Sequence, residues 1–224
     1  MRGYRALGAV LLLLLACGCG ARRHPHPSQE VSGFLDDYSV LRAGAPGQVA
    51  LVYLNPKADW ARYDKVLLEP VTLWRSGRHS LDPVPEDDLL RLVSALENAL
   101  RQQLGAGFRL VDQPGPGVMR IRLAITEARA SDPILDVLRA RSTPLPPPPA
   151  GPIDPELRRF IESAAIEGEI RDAQTNELLA AGVDRRREGA APLDTWAAIH
   201  SAIDSWAARL CARLERRTQG ERRP

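Results

Sequence analysis

Three aromatic and two acidic side chains lie within a stretch of twelve residues, and their types could bind a polar ligand. The set is Tyr53, Asp59, Trp60, Tyr63 and Asp64. Aromatic faces contact sugar rings and carboxylates accept hydrogen bonds from hydroxyl groups, so the spacing predicts a binding groove for a glycan or a peptide. The alternative, which the residues favour, is that Trp60 and Tyr63 pack at the start of the next strand.

The same region supplies carboxylates that a hydrolase could use. Glycoside hydrolysis needs two carboxyl groups about 5–10 Å apart across a cleft, and the candidates are Asp59, Asp64, Glu69 and Asp112. The sequence has no His-Glu-x-x-His, no paired Cys-x-x-Cys and no Gly-x-Ser-x-Gly motif. We therefore expect no catalytic, cofactor or metal site and no enzymatic activity. An envelope hydrolase or glycan-modifying enzyme that uses surface carboxylates is the alternative.

A second chemical signal lies at the amino terminus. The first residues, MRGYRALGAVLLLLLACGCG, combine a positive start with an apolar run at 6–16. That run is shorter than the ~20 residues that span a bilayer, so 1–16 is predicted to be a secretory signal peptide. Leu14-Leu15-Ala16-Cys17 resembles a bacterial lipobox, which implies lipidation of Cys17 and cleavage before it. Cys19 is the alternative lipidation site.

The residue that follows Cys17 indicates which membrane is expected to hold the lipid anchor. It is Gly18, whereas an aspartate there typically retains such lipoproteins in the inner membrane. The resemblance to a lipobox therefore implies a lipid anchor on the periplasmic face of the bacterial outer membrane. Residues 17–31 are rich in proline and lack periodicity, which predicts a lipidated flexible tether. Besides the membrane, the expected partner is an envelope protein or peptidoglycan.

Composition argues against a nucleic-acid partner. The chain of 224 residues carries 30 Lys and Arg against 28 Asp and Glu. Removal of Arg2 and Arg5 with the leader leaves 28 of each sign, so the mature protein is neutral. Nucleic-acid binding relies on neutralising phosphates with an excess of positive charge. Hydrophobic residues make up 44% of the chain, which is typical of a folded globular protein.

Two long segments show helical periodicity. Pro85 and the acids after it open the first helix, which leucines at three- and four-residue steps continue towards Gly105 and Gly107. The second begins at Leu193 or Asp194. Its apolar stripe consists of Trp196, Ile199, Ile203, Trp206, Leu210 and Leu214. Arginines follow at its carboxyl end, where cations complement the helix dipole: Arg209, Arg213, Arg216 and Arg217.

Strand patterns fill most of the remaining chain. Residues 48–54 and 64–74 are predicted strands, the second with an edge or a bulge at Pro70. Residues 108–111 and 118–126 flank a Pro-Gly turn and predict a hairpin.

A second hairpin pairs 161–171 with 178–186, and Asn176 in its turn is suited to positive φ. Residues 32–41 predict a short helix or a packed turn.

These elements predict the α+β class, with a single mixed, mainly antiparallel sheet and amphipathic helices packed on one face. The expected organisation is one domain at 32–217, with a proline-rich loop at 143–155 and a disordered tail at 218–224.

Several ordered motifs resemble one family. They are SGFLDDYSVL at 32–41, YLNPKADWARYDKVLLEPV at 53–71, DQPGPGVMRIRLAITEA at 112–128, EGEIRDAQTNELLA at 167–180 and the final tryptophan-containing helix. Over about 32–210 the chain is similar to the bacterial lipoproteins of domain of unknown function 3313. That family has no agreed activity, so the resemblance implies a location and no chemistry. We expect a membrane-tethered periplasmic lipoprotein with a non-enzymatic binding or scaffolding role.

Overall fold

A computed structural model describes residues 32–45, 47–75, 84–127, 153–185 and 193–220. Several predictions fall outside these residues: the signal peptide at 1–16, the tether at 17–31 with Cys17 and Cys19, and positions 143–152 of the proline-rich loop. Most of the tail, from 221 onwards, also falls outside.

The described residues form one sheet of eight strands and three α-helices, which confirms the α+β class. The strands are β1 (Arg42–Ala43), β2 (Leu51–Leu54), β3 (Lys65–Leu68), β4 (Thr72–Trp74), β5 (Arg109–Leu110), β6 (Val118–Glu127), β7 (Ala164–Asp172) and β8 (Leu178–Arg185). The helices are α1 (Glu86–Gly107), α2 (Pro155–Ser163) and α3 (Trp196–Thr218), and a short 3₁₀ helix spans Trp60–Arg62.

The strand order is β1-β2-β8-β7-β6-β3-β5, and β4 pairs with β6 beyond the end of β3. The pairings from β1 to β6 along this order are antiparallel, whereas β3 and β4 run parallel to β6, and β5 runs parallel to β3. The sheet is therefore mixed and mainly antiparallel, as predicted.

The hairpin predicted from 108–111 and 118–126 is wrong. β3 lies between these two strands, so that Lys65 is opposite Arg109 on one side and Val118 on the other. The connection at 111–117 is longer than a tight hairpin loop and contains two prolines. It is long enough to cross β3, a distance of two strand spacings or about 10 Å. The amides of Asp64 and Lys65 both donate to the Gly117 carbonyl, each over 3.2 Å. These two hydrogen bonds hold the crossing connection against the start of β3.

Two other element boundaries differ from the prediction. The strand predicted at 64–74 is divided into β3 and β4 around Pro70, which has no amide to continue the ladder. The strand predicted from 161 begins only at Ala164, because the preceding residues form α2. Asp154 caps α2 by accepting from the Glu156 amide, and Pro155 occupies the first helical turn.

Helices α1 and α3 confirm the two predicted amphipathic helices, with shifted ends. α1 continues through Gly105 to Gly107, and α3 begins at Trp196 after a Thr195 cap that accepts from the Ala198 amide. α3 also includes Thr218, the first residue of the predicted tail. The two helices pack against each other, and their apolar faces cover one face of the sheet to form the main core.

The opposite face of the sheet is covered by the segment 32–45, in which 32–41 form turns rather than a helix. Phe34, Leu35 and Leu41 are buried there against small and β-branched residues of the sheet, among them Ala181 and Val183. Within the described part of the chain, no helix has the length and hydropathy required to cross a bilayer.

Candidate functional site

The five residues of the predicted aromatic and acidic groove do not converge on one groove. Tyr53 on β2 packs against the cluster beneath segment 32–45, whereas Trp60 packs against the core on the helix-covered face. Asp59 and Asp64 are exposed, and Tyr63 is buried. The arrangement agrees with the packing alternative for Trp60 and Tyr63, whose rings meet edge to face with centroids 6.5 Å apart.

Tyr63 uses its polar atom inside the protein. Its hydroxyl donates to Asp172 Oδ2 over 2.9 Å, and Arg62 forms an ion pair with the same carboxylate. Burial and the hydrogen bond to Asp172 raise the pKa of Tyr63 to about 12. Burial opposes ionisation of Asp172, but donors that include the Thr175 amide and the Tyr63 hydroxyl outweigh it and lower the pKa of Asp172 to about 2. The group is a structural anchor between the 3₁₀ helix and the β7–β8 turn.

The four candidate hydrolase carboxylates are also dispersed. Asp59, Asp64 and Asp112 are exposed. Glu69 lies 3.5 Å from Arg120 Nε in an ion pair. None of the four lines the cavity described next.

A cavity of about 850 Å³ lies between α3 and the sheet and is partly open to solvent. Residues of four adjacent strands form its floor, on the face of the sheet that is turned towards the helices. They are Val52, Leu54, Ile121, Leu123, Ile166, Gly168, Ile170, Ala180 and Gly182. Its roof is formed by α3, which contributes Trp206, Leu210 and Leu214. The volume lies within the range that is usual for small-molecule sites, about 300–1,000 Å³.

Two glycines lie in the centre of the floor. Gly168 on β7 and Gly182 on β8 are direct cross-strand partners, flanked in the same row by Leu123 on β6 and Val52 on β2. Leu123 leans over Gly168, since a Cβ there would lie 2.2 Å from Leu123 Cδ2. A Cβ at Gly182 would lie 3.2 Å from Val49 Cγ2, so a neighbouring aliphatic side chain closely approaches each of the two glycines.

The wall and mouth of the cavity carry polar groups. Asp184 Oδ2 accepts a hydrogen bond of 2.8 Å from Trp206 Nε1, which ties α3 to β8. Arg213 donates to the Gly47 carbonyl, and the guanidinium of Arg217 lies 5.9 Å from the Trp60 ring centroid. Arg216 also lines the cavity. Three of the four arginines predicted to complement the helix dipole therefore border an apolar space as well.

A buried polar cluster occupies the other face of the sheet. Glu167 is fully buried and accepts hydrogen bonds from Tyr38 and from Thr126, the latter over 2.9 Å. Glu169 forms ion pairs with Arg122 at 2.9 Å and Arg171 at 2.8 Å. Burial, followed by the hydrogen bond to Glu167, raises the pKa of Tyr38. These contacts hold segment 32–45 on the sheet.

Cys211 lies buried in α3 with its thiol 3.1 Å from the Gln103 carbonyl of α1. Burial and the neighbouring Glu215 raise the pKa of this thiol to about 11, so it is protonated at neutral pH. The described ranges contain no group of three or more His, Cys, Asp or Glu side chains that could hold a metal ion.

Comparison with known proteins gives a family but no activity. A family model described as "Protein of unknown function (DUF3313)" matches residues 30–210. The chain is also similar to the "Uncharacterized lipoprotein YdcL" of Escherichia coli strain K12 and of strain O157:H7, with 27% identity over 149 residues in each case. The alignment covers 65% of this chain and 66% of each relative, slightly less than two thirds of their length.

Among solved structures, the chain is similar to two dodecamers of PelC from Paraburkholderia phytofirmans, one of them a variant with a single substitution. For both, the identity is 15% and the TM-score is 0.33, and the superposition covers 73% of this chain and 94% of the PelC chain. A likeness this weak transfers neither assembly nor function.

Proposed function

Because the chain belongs to the DUF3313 family of proteins of unknown function, we propose that it is a membrane-tethered periplasmic lipoprotein with a non-enzymatic binding or scaffolding role in the bacterial envelope. The cavity beneath α3 is the proposed binding site. The lipid anchor is attached at Cys17, with Cys19 as the alternative, on the periplasmic face of the outer membrane.

The anchor has two independent supports. The lipobox-like Leu14-Leu15-Ala16-Cys17 ends a short apolar leader, and the similar protein of Escherichia coli is named a lipoprotein. Two or three acyl chains retain a protein at a membrane firmly, because each buried methylene contributes about 0.8 kcal/mol. Gly18 after Cys17 favours the outer over the inner membrane.

The cavity is the observation that carries the binding role. About 850 Å³ of space lies under α3, with an apolar floor that includes the facing glycines Gly168 and Gly182 and with polar groups at the margin. Open space of this kind costs stability, since the surrounding apolar side chains lose contacts that a filled core would provide. A bound component would restore those contacts.

Photocrosslinking in living cells tests this role. A photoreactive phenylalanine analogue replaces Leu210 in the cavity roof, and the matched control carries it at Leu90, which is 55% exposed on α1. We expect an adduct of defined mass at position 210 that is absent at position 90. Gly182→Leu, introduced to fill the cavity, should abolish the adduct while the protein remains at its normal level. No adduct at 210, or the same adducts at both positions, would contradict the proposed role.

A further inference from the structure

We propose that the cavity takes the hydrocarbon chain of a single-chain anionic amphiphile and that the arginines at its mouth bind the anionic head group. This inference rests on the binding role proposed above and names the ligand class. An apolar floor, sufficient dimensions and clustered guanidinium groups support it.

The floor selects a hydrocarbon. Two cross-strand rows of the sheet beneath α3 present only aliphatic side chains or glycine. The first row is Ile121, Ile170, Ala180 and Leu54, and the second is Leu123, Gly168, Gly182 and Val52. A polar ligand placed there would lose its hydrogen bonds to water without replacement, whereas an acyl chain gains from leaving water.

The dimensions of the cavity accommodate an alkyl chain. The part of α3 that lines the cavity runs from Trp206 to Arg217, which corresponds to about 16 Å of helix at 1.5 Å per residue. The floor spans four adjacent strands, about 14 Å across. With about 850 Å³ available, an extended or once-bent alkyl chain fits beneath the helix.

The charges at the mouth select an anion. Arg216 and Arg217 each lie about one helical turn after Arg213 on α3, and all three arginines line the cavity. Guanidinium groups stay protonated at physiological pH, and their five donors form a planar fork that matches the geometry of a carboxylate or a phosphate.

The acids that line the same cavity are already used within the protein. Asp184 accepts from the Trp206 indole, and the Glu169 carboxylate pairs with Arg122 and Arg171 on the other face of the sheet. Both acids that line the cavity in the described part of the chain are therefore engaged by other groups.

The favourable interaction of cations with the helix dipole explains why arginines occur at the carboxyl end of α3. It does not explain why three of them line the cavity. Arg209 belongs to the same arginine cluster in sequence, yet it is exposed and does not line the cavity. It therefore provides a matched control that keeps the helix and removes one charge elsewhere.

The test uses the full mature protein in nanodiscs of zwitterionic lipid. The probe is hexadecanoic acid that carries a diazirine in its chain, and the comparison probe is the corresponding diazirine alcohol. After irradiation, the labelled positions are mapped by peptide mass spectrometry. We expect the acid to label the cavity-facing residues of α3 between 206 and 217 at least tenfold more than the exposed face of α1 around Leu90. The alcohol should label the cavity at least fivefold less than the acid does.

Three variants identify the determinants. Arg216→Gln with Arg217→Gln should reduce cavity labelling by the acid about tenfold, Arg209→Gln should leave it unchanged, and Gly182→Leu should remove it. Circular dichroism and thermal unfolding confirm that each variant is folded. Equal labelling by acid and alcohol, or no effect of the double glutamine variant, would overturn the anionic head group.

The failure of this inference can be told apart from the failure of the binding role. A cavity that the acid does not label, but that still gives an adduct at position 210 in cells, excludes the amphiphile and retains the binding role. A polypeptide adduct at position 210 identifies a protein occupant and overturns the amphiphile. The absence of both signals overturns both proposals.

Discussion

Tyr63 and Asp172 are 109 residues apart in sequence, yet the tyrosine hydroxyl donates to the buried carboxylate over 2.9 Å. This hydrogen bond joins the segment that precedes β3 to the turn between β7 and β8, two parts of the fold that are distant in sequence. Asp172 also accepts from the Gln174 and Thr175 amides at 2.8 Å each, so one side chain organises the turn and attaches it to the rest of the fold.

Tyr63→Phe should destabilise the protein by about 1–3 kcal/mol, because it removes one partner of a buried carboxylate and leaves that acceptor less satisfied. The measurement is the free energy of unfolding in urea. Tyr53→Phe is the matched control, since within the described residues the Tyr53 hydroxyl has no hydrogen-bond partner, and its effect should stay within about 0.5 kcal/mol. Equal effects of the two substitutions would contradict a stabilising Tyr63–Asp172 bond.

Asp172 should make stability depend on pH in acid. Its folded-state pKa of about 2 lies below the value near 3.9 that is usual for an unfolded aspartate, so the unfolded chain binds the proton more readily. The resulting stabilisation is present above about pH 4 and is lost as the pH falls towards about 2. In urea unfolding curves from neutral pH downward, the stability difference between wild type and Asp172→Asn should shrink over that window. A difference that stays constant would contradict this linkage.

The elements with a strong local pattern are those that the sequence predicts well. α1, α3 and β6 each repeat their apolar residues at the period of the element, so the pattern is visible without any knowledge of neighbouring strands. α2 was missed although Asp154, Pro155 and Glu156 carry a capping signature, because the isoleucines after it also suit a strand.

The strand pairing and the cavity depend on contacts distant in sequence, and no local pattern contains them. β3 lies between β5 and β6 because the chain crosses over β3 after β5 and then runs in the same direction in β6. The residue types of the turn do not by themselves indicate such a crossing. The aromatic and acidic residues do not form the predicted groove, because alternation along β2 places Tyr53 on the face of the sheet opposite Val52 and Leu54. The sequence alone does not show that Gly168 and Gly182 are neighbours, because the register between β7 and β8 determines which residues lie opposite each other.

Asn176 tests a prediction made from turn chemistry. Its φ of 62° confirms the positive value expected in the β7–β8 turn. Asn176→Ala should cost about 1–2 kcal/mol, because alanine lacks the short polar side chain whose local hydrogen bonds help asparagine to adopt the left-handed region, whereas Asn176→Gly should retain stability to within about 0.5 kcal/mol. Both substitutions remove the side-chain oxygen that accepts from Arg120. If that contact rather than the backbone were decisive, both variants would lose stability equally in urea unfolding.

Cys211 should resist alkylation while the protein is folded. Burial first, and the charge of Glu215 second, raise the pKa of its thiol to about 11, and the reactive thiolate is correspondingly scarce. Iodoacetamide at neutral pH should modify Cys211 roughly 300-fold more slowly in the native protein than in denaturing urea, given a pKa near 8.5 for a free thiol. Peptide mass spectrometry separates this cysteine from Cys17 and Cys19. Comparable rates in both states would show that α3 opens readily from α1.

The lipid anchor predicts a mass difference that one substitution removes. Intact-mass analysis of the protein extracted from membranes should show a diacyl or triacyl increment on a chain that begins at Cys17. Cys17→Ser removes the thiol that carries the lipid, so the increment should disappear and the protein should leave the membrane fraction, because each buried methylene contributes about 0.8 kcal/mol to membrane binding. Cys19→Ser is the matched control and should keep the increment. Loss of the increment in Cys19→Ser with retention in Cys17→Ser would move the site to Cys19, and a wild-type protein without acyl groups would overturn the anchor.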